Sequence, residues 1–205
     1  MVTSLPSVNK ELAELLPAGL CARCETTQFA KGARLFELAQ RPQYMYFVES
    51  GEVVLERLGA QGEVVVLQRT RHGFVGEASL QSARYHCDAR AVVASVITRI
   101  PVRDIRAALE QDPSFAMRWV GMLNREVRRL RMQCERLSLR RLQDRLLHLV
   151  ETEGLNGRYP LGAGLKSLAG ELGVTHEALY RCVADLEKKN LLRRNDAHLC
   201  VVASA

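Results

Sequence analysis

Long apolar runs are missing from this chain. Nowhere among its 205 residues does an unbroken apolar stretch approach the roughly 18 residues that a membrane-spanning helix needs. No basic segment leading into an apolar one precedes the first charged residues, so no export signal is expected and the chain is expected in the cytoplasm, without a membrane partner. Histidine is scarce: five residues, scattered along the sequence, do not supply a His/Glu metal cluster, and no enzymatic activity is expected. Repeats and low-complexity tracts are absent as well. Six cysteines are present, at 21, 24, 87, 134, 182 and 200, and with no export signal they are expected reduced rather than paired. With 47% hydrophobic residues the chain has enough apolar material for two modest cores.

Charge is unevenly distributed. The net charge is +6, and residues 112 to 148 alone hold 9 Lys and Arg against 4 Asp and Glu, mostly in NREVRRLRMQCERLSLRRLQDR. Such a stretch attracts phosphates, although a solvated helix face has the same composition. The sharpest local signal lies downstream, in LKSLAGELGVTHEALYRCVADLEKKNLLRR (165 to 194). Leu168, Ala169 and Leu172 form the inner stripe of a first helix, Gly173 permits a turn, and Thr175 stands as N-cap of a second helix. On that second helix Leu179, Val183 and Leu186 recur at helical spacing, leaving His176, Glu177, Tyr180, Arg181 and Ala184 on the opposite face. Followed by a hairpin, this is the pattern of a winged helix-turn-helix. Arg181 can fork to guanine O6 and N7 and Glu177 can accept from cytosine N4, both near the helix N-terminus where such helices meet base edges. The alternative is local: Glu177 complements the helix dipole and Arg181 pairs with it one turn on. Lys166, Thr175, His176, Glu177, Tyr180 and Arg181 are the candidate DNA contacts.

Residues 43 to 80 alternate apolar and polar positions in short runs punctuated by Gly51, Gly59, Gly62, Gly73 and Gly76, the pattern of successive antiparallel strands closing into a small β-roll. The order YMYFVESGEVVLE, then a GEVVVLQR strand, then GFVGEASL resembles the cyclic-nucleotide-binding domain. With a long helix and the winged helix-turn-helix after it, the chain resembles the Crp/Fnr family of bacterial transcription regulators over roughly residues 10 to 202. The resemblance implies an α+β fold in three parts: a sensor roll with flanking helices over 1–111, a dimerisation helix over 112–139, and a DNA-binding domain over 140–205. It also implies a homodimer that binds an inverted repeat of double-stranded DNA, with RNA polymerase as a further partner if the regulator activates. In outline, one N-terminal helix (8 to 18) precedes the roll of about 26 to 101, a short helix ends at Asp112-Pro113, and GRYPLGAG reads as the loop of the C-terminal third.

Along the long helix Val120, Val127 and Cys134 fall at a, and Leu123, Leu130 and Leu137 at d, of a parallel coiled-coil seam that ends before Arg141. Packing of that stripe on the roll is the alternative, and Trp119 is expected to pack there. In the cyclic AMP receptor branch a Gly-Glu pair and an Arg-Ser pair cradle the cyclic phosphate. Gly76 and Glu77 match the first pair, but Tyr85 and His86 stand where the second belongs, and Gln133 and Cys134 replace the Thr-Ser that reads adenine. These six residues are the effector-pocket candidates, with Arg84 and Arg90 out of register to compensate, and cyclic AMP is not expected to be the effector. An iron-sulfur cluster in the Fnr manner lacks its cysteines, because Thr98 stands at one of the required positions. Cys21 and Cys24, with Cys87 and Cys134, are the metal candidates. Small buried hydrophobes, thiol redox chemistry or a soft metal all remain open for them. A constitutive regulator and a cyclic-nucleotide-responsive one are the alternative functions.

Overall fold

The computed structural model describes residues 9–162, 164–195 and 197–202, which fall into two compact units, 1–124 and 125–205. The first unit opens with α1 (Lys10–Leu15) and α2 (Ala18–Cys21). The single helix expected over 8 to 18 is thus divided, and residue 8 lies outside the described residues. The cause is local: Leu16 precedes Pro17 and takes an extended conformation (φ −84°, ψ 146°), which a following proline favours.

Eight strands follow: β1 (Glu25–Phe29), β2 (Arg34–Phe36), β3 (Tyr44–Ser50), β4 (Val53–Leu58), β5 (Val64–Thr70), β6 (Gly73–Val75), β7 (Asp88–Ala91) and β8 (Ser95–Pro101). They form two antiparallel four-stranded sheets, in the orders β1-β8-β3-β6 and β2-β7-β4-β5. β3 shows why the sequence folds this way. Its period-two alternation sends Tyr46 and Val48 into the space between the sheets, with Phe36, Val53, Val75, Tyr85, Cys87 and Ile97, while Met45 and Phe47 point the other way. That second face meets Leu12, Leu16 and Leu20 from α1 and its surroundings, Ile105 of α3 (Val102–Gln111), and Phe115, Trp119 and Met122 at the start of α4 (Pro113–Ser138). Trp119 is therefore a core residue of the roll, its indole edge-on to Phe74 at 5.1 Å.

The β3–β4 turn passes close against the backbone of Ser95. Gly51 has φ 97°, and a Cβ there would stand 2.6 Å from the Cα of Ser95, so no side chain fits. The next residue, Glu52, is 1% exposed. Its amide donates to Ser95 Oγ, and its carboxylate accepts from the Arg69 guanidinium and, at 2.9 Å, from Arg71 Nε.

The second unit contains the rest of α4, α5 (Leu142–Glu153), β9 (Arg158–Pro160), α6 (Gly164–Glu171), α7 (His176–Lys188), β10 (Leu192–Arg194) and β11 (His198–Val201). The segment GRYPLGAG was expected as a loop. Its Arg158–Pro160 portion is instead an edge strand, paired antiparallel with β11 (His198↔Pro160, Cys200↔Arg158), and Ala163 lies outside the described residues. Tyr159 explains the difference: its ring is fully buried among Leu146, Leu149, Leu165, Leu179 and Leu199, an attachment that short-range turn chemistry does not reveal. Beneath this core Arg136, near the end of α4, is 1% exposed, with Nη2 2.5 Å from Glu153 and Nη1 3.7 Å from Glu171. Arg145 reaches in the other direction, from Nε to the Leu139 carbonyl at 2.7 Å and from Nη1 to that of Leu172 at 3.2 Å, tying the α4–α5 corner to the end of α6.

Candidate functional site

The helix pair α6 and α7 is held by the residues that periodicity singled out. Leu168, Ala169 and Leu172 of the first helix and its end, and Leu179, Val183 and Leu186 of the second, are all buried in one core. Gly173 takes φ 66° in the turn. Thr175 sits extended as N-cap of α7, its Oγ1 accepting from the Ala178 amide at 3.3 Å. His176, Glu177, Tyr180 and Arg181 are exposed on one face of α7, and Lys166 is exposed on α6.

Glu177 is held below the ordinary carboxylate range, first by its own amide at the helix start, then by the Thr175 hydroxyl, with His176 and Arg181 adding to the pull. Its ion pair is with His176, at 2.9 Å. No ion pair joins Glu177 to Arg181 among the described residues, so the local i,i+4 pairing weighed as the alternative is not formed, and the Arg181 fork stays directed to solvent.

The hairpin was expected, but its arginines were not among the candidate contacts. Arg193 and Arg194 on β10 are exposed, and the Arg194 guanidinium lies 6.0 Å from the centre of the Tyr180 ring, linking wing and helix face. A shallow groove beside Arg181 is lined by Arg141, Gln143, Ala178 and Asp185. The signal for these residues was present in the arginine pairs at 140–141 and 193–194. Nothing in sequence spacing says that they approach α7.

The effector-pocket candidates occupy both units. In the first, Gly76 (φ 90°) opens a single 3-10 turn, Glu77–Ser79. Tyr85 is buried, its ring stacked on Phe36 with centroids 3.8 Å apart and planes 10° from parallel, and its hydroxyl donates to the Tyr44 carbonyl. Burial pushes the phenol well above its ordinary pKa. Both rings come within ordinary contact of the point where a Gly76 side chain would begin, 3.4 Å for Phe36 and 3.7 Å for Tyr85. His86 is exposed, with Nδ1 3.3 Å from Ser79 Oγ. Of the two arginines out of register, Arg90 is taken by a carboxylate, and Arg84 borders a different cleft, beside α3. Arg90 forms two 2.7 Å bonds with Glu56, and Arg84 Nη1 donates to the Ala39 carbonyl at 2.9 Å. Gln133, half-buried, and Cys134, exposed, belong to α4 in the second unit.

The metal candidates are dispersed. Cys21 and Cys24 pack against the helix-side core of the roll, each thiol donating to a backbone carbonyl one turn back, while Cys87 is buried between the sheets and Cys134 lies in the other unit. Burial raises all three thiols of the first unit, Cys24 to about 12 and Cys87 to about 11, which opposes thiolate chemistry there. Among the described residues no group of three His, Cys, Asp or Glu side chains is arranged to hold a metal ion. Thr98, fully buried, bonds Thr26 at 2.7 Å and donates to Glu49, so the position where an Fnr cluster would need a thiol serves a structural hydrogen-bond chain.

Residues 26–112 match the family model of the cyclic nucleotide-binding domain. The whole chain has the α+β fold of the Crp/Fnr transcription regulators. FixK2 from Bradyrhizobium japonicum superposes with a TM-score of 0.74 at 16% identity, covering 89% of this chain and 99% of that one. A CooA variant from Carboxydothermus hydrogenoformans gives 0.73 at 19% identity, covering 96% and 93%. A transcriptional regulator of the CRP family from Thermus thermophilus gives 0.67 at 20% identity, covering 86% and 91%. No curated protein matches the chain in sequence. Within the matched segment, Gly76 opens the Glu77–Ser79 turn and the Phe36–Tyr85 stack stands beside it.

Proposed function

We propose that the chain is a sequence-specific DNA-binding transcription regulator, acting as a homodimer on an inverted repeat. The observation that carries this reading is the exposed face of α7, where Arg181 forms no ion pair with Glu177 and shares a groove with Arg141 at the α5 start, while Tyr180 lies against Arg194 of the wing. A regulator fold shared with the neighbours above supports it. Selection from random duplexes is expected to return an inverted repeat with half-sites about one DNA turn, roughly 34 Å, apart. Arg181→Ala is expected to cost about 1–3 kcal/mol per half-site and to relax the preference at one base pair. Selection without a repeat, or an unchanged consensus in the variant, rejects the reading.

Cyclic AMP is not the effector in this reading, because the Phe36–Tyr85 stack stands beside Gly76 and Arg90 is taken by Glu56. Calorimetric titration with cyclic AMP is expected to give no micromolar binding and no gain in operator affinity. Micromolar binding coupled to tighter DNA binding would reverse that conclusion.

Thiol chemistry is the second reading for the signal, favoured by the exposure of Cys134 on the apolar stripe of α4. In a parallel dimer two copies of an a-position residue face each other across the two-fold axis. Peroxide, diamide or copper(I) is then expected to alter operator affinity in the wild type and not in Cys134→Ser. Indifference of the wild type to all three leaves Cys134 as packing.

A further inference from the structure

Five arginines of the first unit have their charge answered by a nearby carboxylate: Arg23 by Asp104, Arg34 by Glu37, Arg69 and Arg71 by Glu52, and Arg90 by Glu56. Four others share one place. Arg41 in the loop before β3, Arg84 in the loop before β7, and Arg103 and Arg106 on successive turns of α3 border an open cleft of about 1010 Å³. Its walls include Pro42 and Val102, both buried. Among the described residues no carboxylate lies within 4 Å of Arg41, Arg84 or Arg106, and Arg103 has only a 3.5 Å approach to Asp104 from a side chain 90% exposed.

Two of these guanidiniums are also oriented by backbone. Arg106 donates from Nε to the Leu80 carbonyl at 2.5 Å, and Arg84 donates from Nη1 to the Ala39 carbonyl at 2.9 Å. Each of these bonds occupies one of the five N–H groups of its guanidinium, so most of the planar fork remains for a ligand. A single acidic residue, Glu110, stands among the lining residues.

We propose that this cleft is a binding site for a small anion bearing two or more linked phosphate groups, separate from the Gly76 turn. The chemistry argues for phosphates over a lone carboxylate. Several forked donors at different points of a cleft match an extended array of anionic oxygens, and the cleft lies in the size range of small-ligand sites, about 300–1,000 Å³. It contains no aromatic side chain to grip a base, so recognition rests on the phosphates.

The test is calorimetry of the full chain with sodium tripolyphosphate, beside sodium sulfate at equal ionic strength. Saturable one-site binding of tripolyphosphate, with sulfate at least about tenfold weaker, is expected from the loss of charge-assisted hydrogen bonds. The pair Arg41→Ser with Arg84→Ser should weaken binding by about tenfold or more. Glu110→Gln should tighten it, a gain that misfolding cannot produce. Arg181→Ala should leave it unchanged, which separates this cleft from the DNA face and lets either proposal fail alone. Absent binding, equal affinity for sulfate, insensitivity to the paired serine substitutions, or loss in Arg181→Ala would overturn the assignment. Comparable affinity for a short polyglutamate peptide would overturn it too, in favour of an acidic protein partner.

Discussion

Replacing Glu52 with Ala is expected to lower the stability of the roll by about 3–5 kcal/mol, the range found when one member of a buried ion pair is removed. The Glu52 side chain is 1% exposed and that of Arg69 3%, so water does not screen what is left behind. Removing the carboxylate strips the Arg69 guanidinium of the anion it faces, in an interior where an uncompensated charge is poorly solvated. Arg71, with 27% of its side chain exposed, loses less because it can turn to solvent. Urea unfolding followed by Trp119 fluorescence reads the effect, with a lower midpoint at unchanged slope as the expected signature. The double replacement Glu52→Leu with Arg69→Met should be much less costly than Glu52→Ala, because an apolar pair leaves no orphaned charge. If Glu52→Ala shifts stability by less than about 1 kcal/mol, the pair is solvated in a way its burial does not show.

Introducing Glu at Leu130 is expected to dissociate the proposed homodimer. Val120, Val127, Leu130 and Leu137 are between 41% and 46% exposed on α4, and these apolar side chains recur at seam spacing where a solvated helix would carry polar ones. Burying a Leu side chain stabilises by about 1.5–3 kcal/mol, and two-fold symmetry counts each substitution twice. Leu130→Glu should therefore weaken dimerisation by about 3–6 kcal/mol, or roughly 10²- to 10⁴-fold, with repulsion between the two carboxylates adding to the loss. Sedimentation equilibrium measures this directly. Operator binding should fall in parallel, since a single reading head contacts one half-site. A Leu130→Glu protein that remains dimeric at the wild-type concentration dependence would mean that the stripe serves another contact.

How far these features could be read in advance depended on how local their causes are. The alternation of β3, the Gly51 turn, the core stripe of α7 and the Thr175 cap each arise within a few residues, and the corresponding elements appear where periodicity placed them. The break at Pro17 was equally local, yet it was overlooked because the apolar spacing continued across it, and the backbone restriction on Leu16 prevailed over the pattern. The β9 strand was lost for the opposite reason. A three-residue edge strand has too few positions to show a period, and its partner in β11 lies some 40 residues away.

The sequence by itself determined the roll with its following helices, the position of α7 and the stripe on α4, since each is a repeating relation between apolar positions and backbone geometry. Only the tertiary structure decided which charges meet. That Glu52 lies beneath Arg69, that Arg136 is enclosed by Glu153 and Glu171, that Arg90 is taken by Glu56, and that Arg41, Arg84, Arg103 and Arg106 share one cleft are pairings between segments far apart in the chain. Tyr85 is the clearest case. The family resemblance sets it at a position expected to bind phosphate, but its stacking on Phe36 beside Gly76 follows from segments brought together by the closure of the roll. A side chain's type sets what it can bond, and long-range packing sets what it does bond, because burial depends on every element that covers it.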